Sequence, residues 1–131
     1  MTISGDFPHI TNRRITSNGI ELNIAEQGDA DAPLIVMLHG FPESWFSWRH
    51  QFAPLAAAGY HVVAPDMRGY GESDKPSDIS AYNQVEVVND VKGLVAALGY
   101  ETAIVIGHDW GGPTAWSCAL WHPEIFSAVG V

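Results

Sequence analysis

The chain has 131 residues, 47% of them hydrophobic and 16% charged, which suits one domain with a buried core. A formal net charge of -9 argues against nucleic acid or an anionic membrane as partner, because both attract basic surfaces. A single cysteine, Cys118, excludes a disulfide within the chain and a cysteine-rich metal site.

The opening "MTISGDFPHI" lacks the basic start and apolar run of a secretory signal. No stretch approaches the ~18 apolar residues of a membrane span. A cytoplasmic setting is the default expectation. Residues 1–12 read as an arm on a single domain. "RRITSNGIELNIAEQG" then reads as a hairpin, because Asn18-Gly19 tolerates the positive φ of a two-residue turn. Ile20, Leu22 and Ile24 alternate with Glu21, Asn23 and Ala25, the period of a half-buried strand.

Three short apolar runs follow: Leu34–Leu38, His61–Pro65 and Ala103–Gly107. Each is apolar at successive positions, as in a parallel sheet covered on both faces. "SAVGV" near the end predicts a further strand. Helices are expected over Ser47–Ala58, over Asn83–Leu98 and from about Trp110. The middle one carries Val87, Val88, Val91, Leu94, Val95 and Leu98 at helical spacing. Asn83 and Glu86 resemble a capping box, and Gly99 is a good stop. Pro113 is tolerated in the first turn of the third helix. Alternating strands and helices predict an α/β fold with right-handed crossovers.

"GHDWGG", residues 107–112, closes a strand and opens a helix. That is the setting of the G-x-nucleophile-x-G elbow, with Asp109 where such turns often hold serine. Gly107 and Gly111 leave room for close approach of strand and helix. An ionised carboxylate attacks amides poorly but suffices against a strained or halide-bearing carbon, giving an ester that water must cleave. Asp is also a preferred helix cap, so local features leave nucleophile and cap as equal alternatives. "LHGFP", Leu38–Pro42, follows the first parallel run and favours the nucleophile. There the N–H groups of Phe41 and Trp110 are placed to converge on one oxyanion. His39 reads as a structural histidine. "DMRGYGESDKP" departs from G-x-G-x-x-G at Asp74, so a nucleotide site is not expected. Asp66 and Arg68 read as loop contacts.

"HGFPESWFSWRHQ", "DMRGYGESDKP" and "GHDWGG", in this order, resemble the landmarks of the α/β-hydrolase superfamily, specifically its epoxide hydrolase branch. The resemblance runs from about Arg14 onward. It implies an α/β-hydrolase core: an N-terminal hairpin, then parallel strands with crossover helices. It implies that Asp109 opens an epoxide to an alkyl-enzyme ester, later hydrolysed to a diol. Phe41 and Trp110 would donate the oxyanion-hole N–H groups, and the Trp110 indole would line the pocket. The implied partner is a small-molecule epoxide. No metal or organic cofactor is implied, and oligomeric state is left open. Haloalkane dehalogenases are similar, with the same Asp-Trp pair, and a Trp110 indole would suit a departing halide. They often carry a polar residue where Phe41 stands.

The resemblance also implies a water-activating histidine held by an acid, and cap tyrosines, on segments beyond Val131. His9, His39, His50, His61, His108 and His122 offer no substitute. His108 adjoins Asp109, but neighbouring residues at a strand end point apart. Tyr60, Tyr70, Tyr82 and Tyr100 do not match the cap tyrosines. The expectation is therefore the N-terminal part of such a hydrolase, with an incomplete sheet lacking the cap and C-terminal strands. An uncovered last strand would make it marginally stable or prone to associate. A catalytically inactive binding module is the further alternative.

Overall fold

The structure is a computed structural model that describes residues 7–131. Six strands form one mixed sheet: β1 (Thr11–Ser17), β2 (Ile20–Gln27), β3 (Leu34–Leu38), β4 (His61–Pro65), β5 (Ala103–Gly107) and β6 (Phe126–Gly130). Their spatial order is β1-β2-β4-β3-β5-β6. The hairpin pairs antiparallel, and β2 also runs antiparallel to β4. Strands β4, β3, β5 and β6 are mutually parallel. Asn18 (φ 52°) and Gly19 (φ 78°) form the expected turn. Residues 1–6 of the expected arm lie outside the described residues, whereas Thr11 and Asn12 already belong to β1.

The apolar runs are strands with the expected limits because both sheet faces are covered. Leu34, Val36, Leu38, Val63 and Val105 face a core completed by the helices α2 (Gln84–Ala97) and α3 (Gly111–Trp121). Ile35, Met37, Val62 and Ala64 face the other way, against Trp45 and Phe52. Phe52 opens the short helix α1 (Phe52–Ala57).

The helix expected over Ser47–Ala58 is instead two pieces. Trp45–Trp48 is a 3-10 turn capped by the Ser44 side chain, and α1 starts only at Phe52. Pro54 explains the break. It has no N–H to return to His50, so the α-helical ladder cannot extend back through it. Helix α2 begins after Asn83, whose Oδ1 accepts from the Glu86 N–H at 3.0 Å. Only that half of the capping box forms there, since the Glu86 carboxylate accepts from Asn18 Nδ2 at 3.0 Å. Pro113 sits in the first turn of α3, as expected.

The expected "SAVGV" strand forms as β6, which begins one residue earlier, at Phe126, and ends at Gly130, before Val131. β6 is a sheet edge, and Trp116, Leu120 and Trp121 on α3 are exposed large hydrophobics. Among the described residues, no helix is long and apolar enough to cross a membrane.

Candidate active site

Strand β5 ends at Gly107, and the chain turns sharply into α3. Asp109 takes φ 56° at the tip of that turn. For a non-glycine residue this left-handed conformation costs about 1–3 kcal/mol, and the surrounding packing must enforce it. Glycines do so here. A Cβ on Gly107 would lie 2.1 Å from the Gly111 carbonyl oxygen, and one on Gly111 would lie 2.2 Å from the Leu38 carbonyl oxygen. The turn is therefore wedged between its own helix and the end of β3.

Asp109 is not the cap of α3. Trp110 holds the cap position, without a side-chain cap hydrogen bond. The Asp109 carboxylate points instead at the loop after β3, where Oδ2 accepts from the Phe41 backbone N–H at 3.0 Å. The Phe41 N–H, and then that of Trp110, hold the carboxyl below its usual range. Of the two N–H groups expected to converge, that of Phe41 thus meets the Asp109 carboxylate itself. Gly40 permits this approach, since a Cβ there would lie 2.4 Å from the Asp109 Cβ.

Gly40 and Trp110 line a cavity of about 220 Å3, together with Met67, Arg68, Tyr70, Tyr82, Gln84, Val87, Thr114 and His39. His39 reaches it with both ring nitrogens engaged. Nδ1 meets the Gly40 carbonyl at 2.8 Å, and Nε2 accepts from the Met67 N–H at 2.9 Å. The Gly40 carbonyl can only accept, so Nδ1 carries the proton and the ring is neutral. Burial, which lowers the His39 pKa, acts in the same direction. His39 is a brace between two loops, as its structural reading expected.

The other histidines lie apart from this cavity. His108 is exposed and pairs with Glu43, Nδ1 to Oε1 at 3.5 Å. His61 Nε2 meets Glu26 Oε1 at 2.9 Å, at the opposite end of the parallel strands. His122 faces Glu124, and His50 packs edge-on against Phe7.

Asp66 and Arg68 do more than contact their own loop. Asp66 Oδ1 accepts from the Trp45 N–H at 2.9 Å, and Oδ2 accepts from the Glu72 N–H at 2.9 Å and from Asn23 Nδ2 at 3.0 Å. Arg68 donates to both carboxylate oxygens of Asp90 on α2, each at 2.8 Å, and both side chains are buried. The rim of the cavity is thus anchored to the hairpin and to α2. Tyr70 and Tyr82, which do not match the cap tyrosines, line this cavity with Gln84 and Thr114, which carry no motif of their own. Their only local signal is position: all lie on the carboxyl side of the parallel strands. Among the described residues, no cluster of His, Cys, Asp or Glu suits a metal ion.

A mixed sheet with four parallel strands, a strained aspartate elbow and a facing backbone donor fit an α/β-hydrolase architecture. The chain belongs to the α/β hydrolase fold family, whose profile matches residues 33–129. Within it, the chain is 45% identical over 119 residues to epoxide hydrolase A of Mycobacterium tuberculosis, covering 91% of this chain and 37% of that protein. It is 56% identical over 101 residues to epoxide hydrolase B of the same organism, covering 77% of this chain and 28% of that protein. The crystal structure of epoxide hydrolase A from Mycobacterium thermoresistibile superposes with a TM-score of 0.90 at 46% identity, covering 92% of this chain and 38% of that one. The expected α/β-hydrolase family is thus shown, and the chain spans well under half the length of these epoxide hydrolase relatives.

Proposed function

We propose that the chain is the nucleophile-bearing part of an enzyme that hydrolyses epoxides, with Asp109 as the attacking residue. One observation carries the reading. Asp109 is held at φ 56° with Oδ2 on the Phe41 N–H, which leaves Oδ1 without that restraint. Oδ1 attacks an epoxide carbon and forms an ester bond while the ring C–O bond breaks. The ring oxygen leaves as an alkoxide, which takes a proton to become the hydroxyl of a hydroxyalkyl ester.

Water then attacks the ester carbonyl. The oxyanion of that tetrahedral intermediate develops on Oδ2, against the N–H groups of Phe41 and Trp110. Collapse frees the diol and restores the carboxylate. Activating that water takes a general base; His39 has both ring nitrogens engaged, by Gly40 and Met67, and His108 lies with Glu43, Ser47 and Gln51 in a separate depression rather than in the cavity. The chain by itself is therefore expected to stop at the ester.

The test is mass spectrometry of the chain after exposure to an aryl-substituted epoxide. The expected result is one covalent adduct per chain, mapped to Asp109 and absent from Asp109→Asn, with little diol released. An adduct elsewhere, or none, overturns the reading. A dehalogenating enzyme uses the same ester, and the exposed Trp110 indole beside the cavity suits a halide. Halide release from a brominated alkane, without adduct formation from the epoxide, would favour that second reading.

A further inference from the structure

Two consecutive N–H groups in the turn after β3 are bound differently. Phe41 N–H points to Asp109, whereas Gly40 N–H donates to Glu43 Oε1 at 2.8 Å. The turn is closed from the other side as well, by the Glu43 N–H on the Gly40 carbonyl at 3.0 Å. The same Oε1 lies 3.5 Å from Nδ1 of His108, the residue before Asp109. One carboxylate oxygen therefore touches both segments that must stay in register: the loop carrying the donor and the elbow carrying the nucleophile.

We propose that Glu43 is a positioning residue that aims the Phe41 N–H at Asp109 by holding the Gly40 N–H and the His108 ring. The physical reason is that two successive rigid peptide units are held: the Phe41 N–H shares one with the Gly40 carbonyl, which accepts from the Glu43 N–H, and the Gly40 N–H, bound by Glu43 Oε1, belongs to the unit before it. Fixing the Gly40 N–H fixes one end of a turn whose next N–H must meet Oδ2 at 3.0 Å. An unfixed turn rotates, and a hydrogen bond weakens steeply once its angle opens. For the chemistry, the inference rests on the epoxide reading; for the geometry, it stands alone.

Two conservative variants separate position from charge. Glu43→Asp keeps the negative charge but withdraws the acceptor from the Gly40 N–H. Glu43→Gln keeps a carbonyl acceptor at full length but removes the charge. Removing a nearby negative charge by itself favours the ionised form of Asp109 and lowers its titration midpoint. Losing the aimed N–H raises it. The readout is the backbone amide spectrum of the chain through an acid titration, followed at Phe41 and Trp110.

In Glu43→Asp, the Asp109 midpoint is expected to rise toward that of an ordinary aspartate, and the response of the Phe41 amide to it to be lost. In Glu43→Gln, the response is expected to persist with a midpoint no higher than wild type. Midpoints moving the same way in both variants, or a Phe41 response unchanged in Glu43→Asp, overturn the proposal. So does a wild-type Gly40 amide without protection from hydrogen exchange.

Epoxide labelling gives the second arm. Adduct formation is expected to slow roughly tenfold in Glu43→Asp and to stay near wild type in Glu43→Gln. If the wild-type chain forms no adduct, the epoxide reading fails while the titration still decides the role of Glu43. If the adduct forms and the titrations do not differ, Glu43 loses its role and the epoxide reading stands.

Discussion

The Phe41 N–H donates to Asp109 Oδ2 at 3.0 Å, across 68 positions of sequence. This bond ties the end of β3 to the end of β5, which pair side by side in the sheet. It also favours the ionised form of Asp109, the proposed nucleophile. Hydrogen bonds from Phe41 and then Trp110 favour the carboxylate, so the Asp109 pKa lies below its usual value. Attack needs the ionised form. The rate of adduct formation should therefore hold its plateau as pH falls through the ordinary aspartate range, and drop only below it. Pseudo-first-order labelling rates measured across acid pH check this. A drop at or above the ordinary range would show that the two N–H groups do not govern the carboxylate.

Gly40 has no conformational peculiarity; its constraint is space. An added Cβ would sit 2.4 Å from the Asp109 Cβ and 2.7 Å from Oδ2. Gly40→Ala must push loop and elbow apart, which breaks the Phe41 contact. Overpacking of this kind typically costs about 1–3 kcal/mol. The expected outcome is a folded chain, destabilised in urea by about that amount, whose labelling at Asp109 falls by roughly 100-fold or more. Labelling at the wild-type rate would mean that the loop position does not matter to the attack.

The Arg68–Asp90 pair anchors the cavity rim to α2. It is bidentate and buried, and Asn18 Nδ2 also donates to Asp90 Oδ1 at 3.0 Å. Removing one partner leaves an uncompensated buried charge, which costs about 3–5 kcal/mol. Arg68→Met should lower the urea midpoint accordingly. Arg68→Met with Asp90→Leu should recover part of the loss, because no charge then remains stranded. A double variant as unstable as the sum of the single ones would place the damage in packing instead.

The strands β3, β4 and β5 were legible to the residue because burial on both faces writes itself locally, as an unbroken apolar run. Helix α2 was legible for the same kind of reason, through its valine and leucine spacing and its Asn83 cap. The interrupted segment before β4 was not. There one missing N–H, that of Pro54, outweighs a plausible helical pattern. The elbow geometry was readable from "GHDWGG" because Gly107 and Gly111 are demanded by contacts within the motif and with β3. The link from Glu43 to His108, and those from Arg68 to Asp90 and from Asn18 to Glu86, were not readable. Each joins residues distant in sequence, and nothing local to a glutamate, an arginine or an asparagine announces its partner.

The far end of the sheet carries its own pH dependence. Glu26 on β2 accepts from His61 Nε2 at 2.9 Å and is paired with Arg13. The hydrogen bond from His61, chiefly, and the Arg13 guanidinium lower the Glu26 pKa from 4.5 to about 2. The folded value lies below the unfolded one, so the folded state binds fewer protons at this site. Its contribution to stability is complete above about pH 4.5 and is lost progressively as pH falls toward 2. The thermal midpoint should decline over that interval. Glu26→Gln should begin from a lower midpoint at neutral pH and show a shallower decline. Other carboxylates add to the slope in both proteins, so the difference between the two curves reports Glu26 alone. Parallel curves would mean that the Glu26 pairings add nothing to stability in solution.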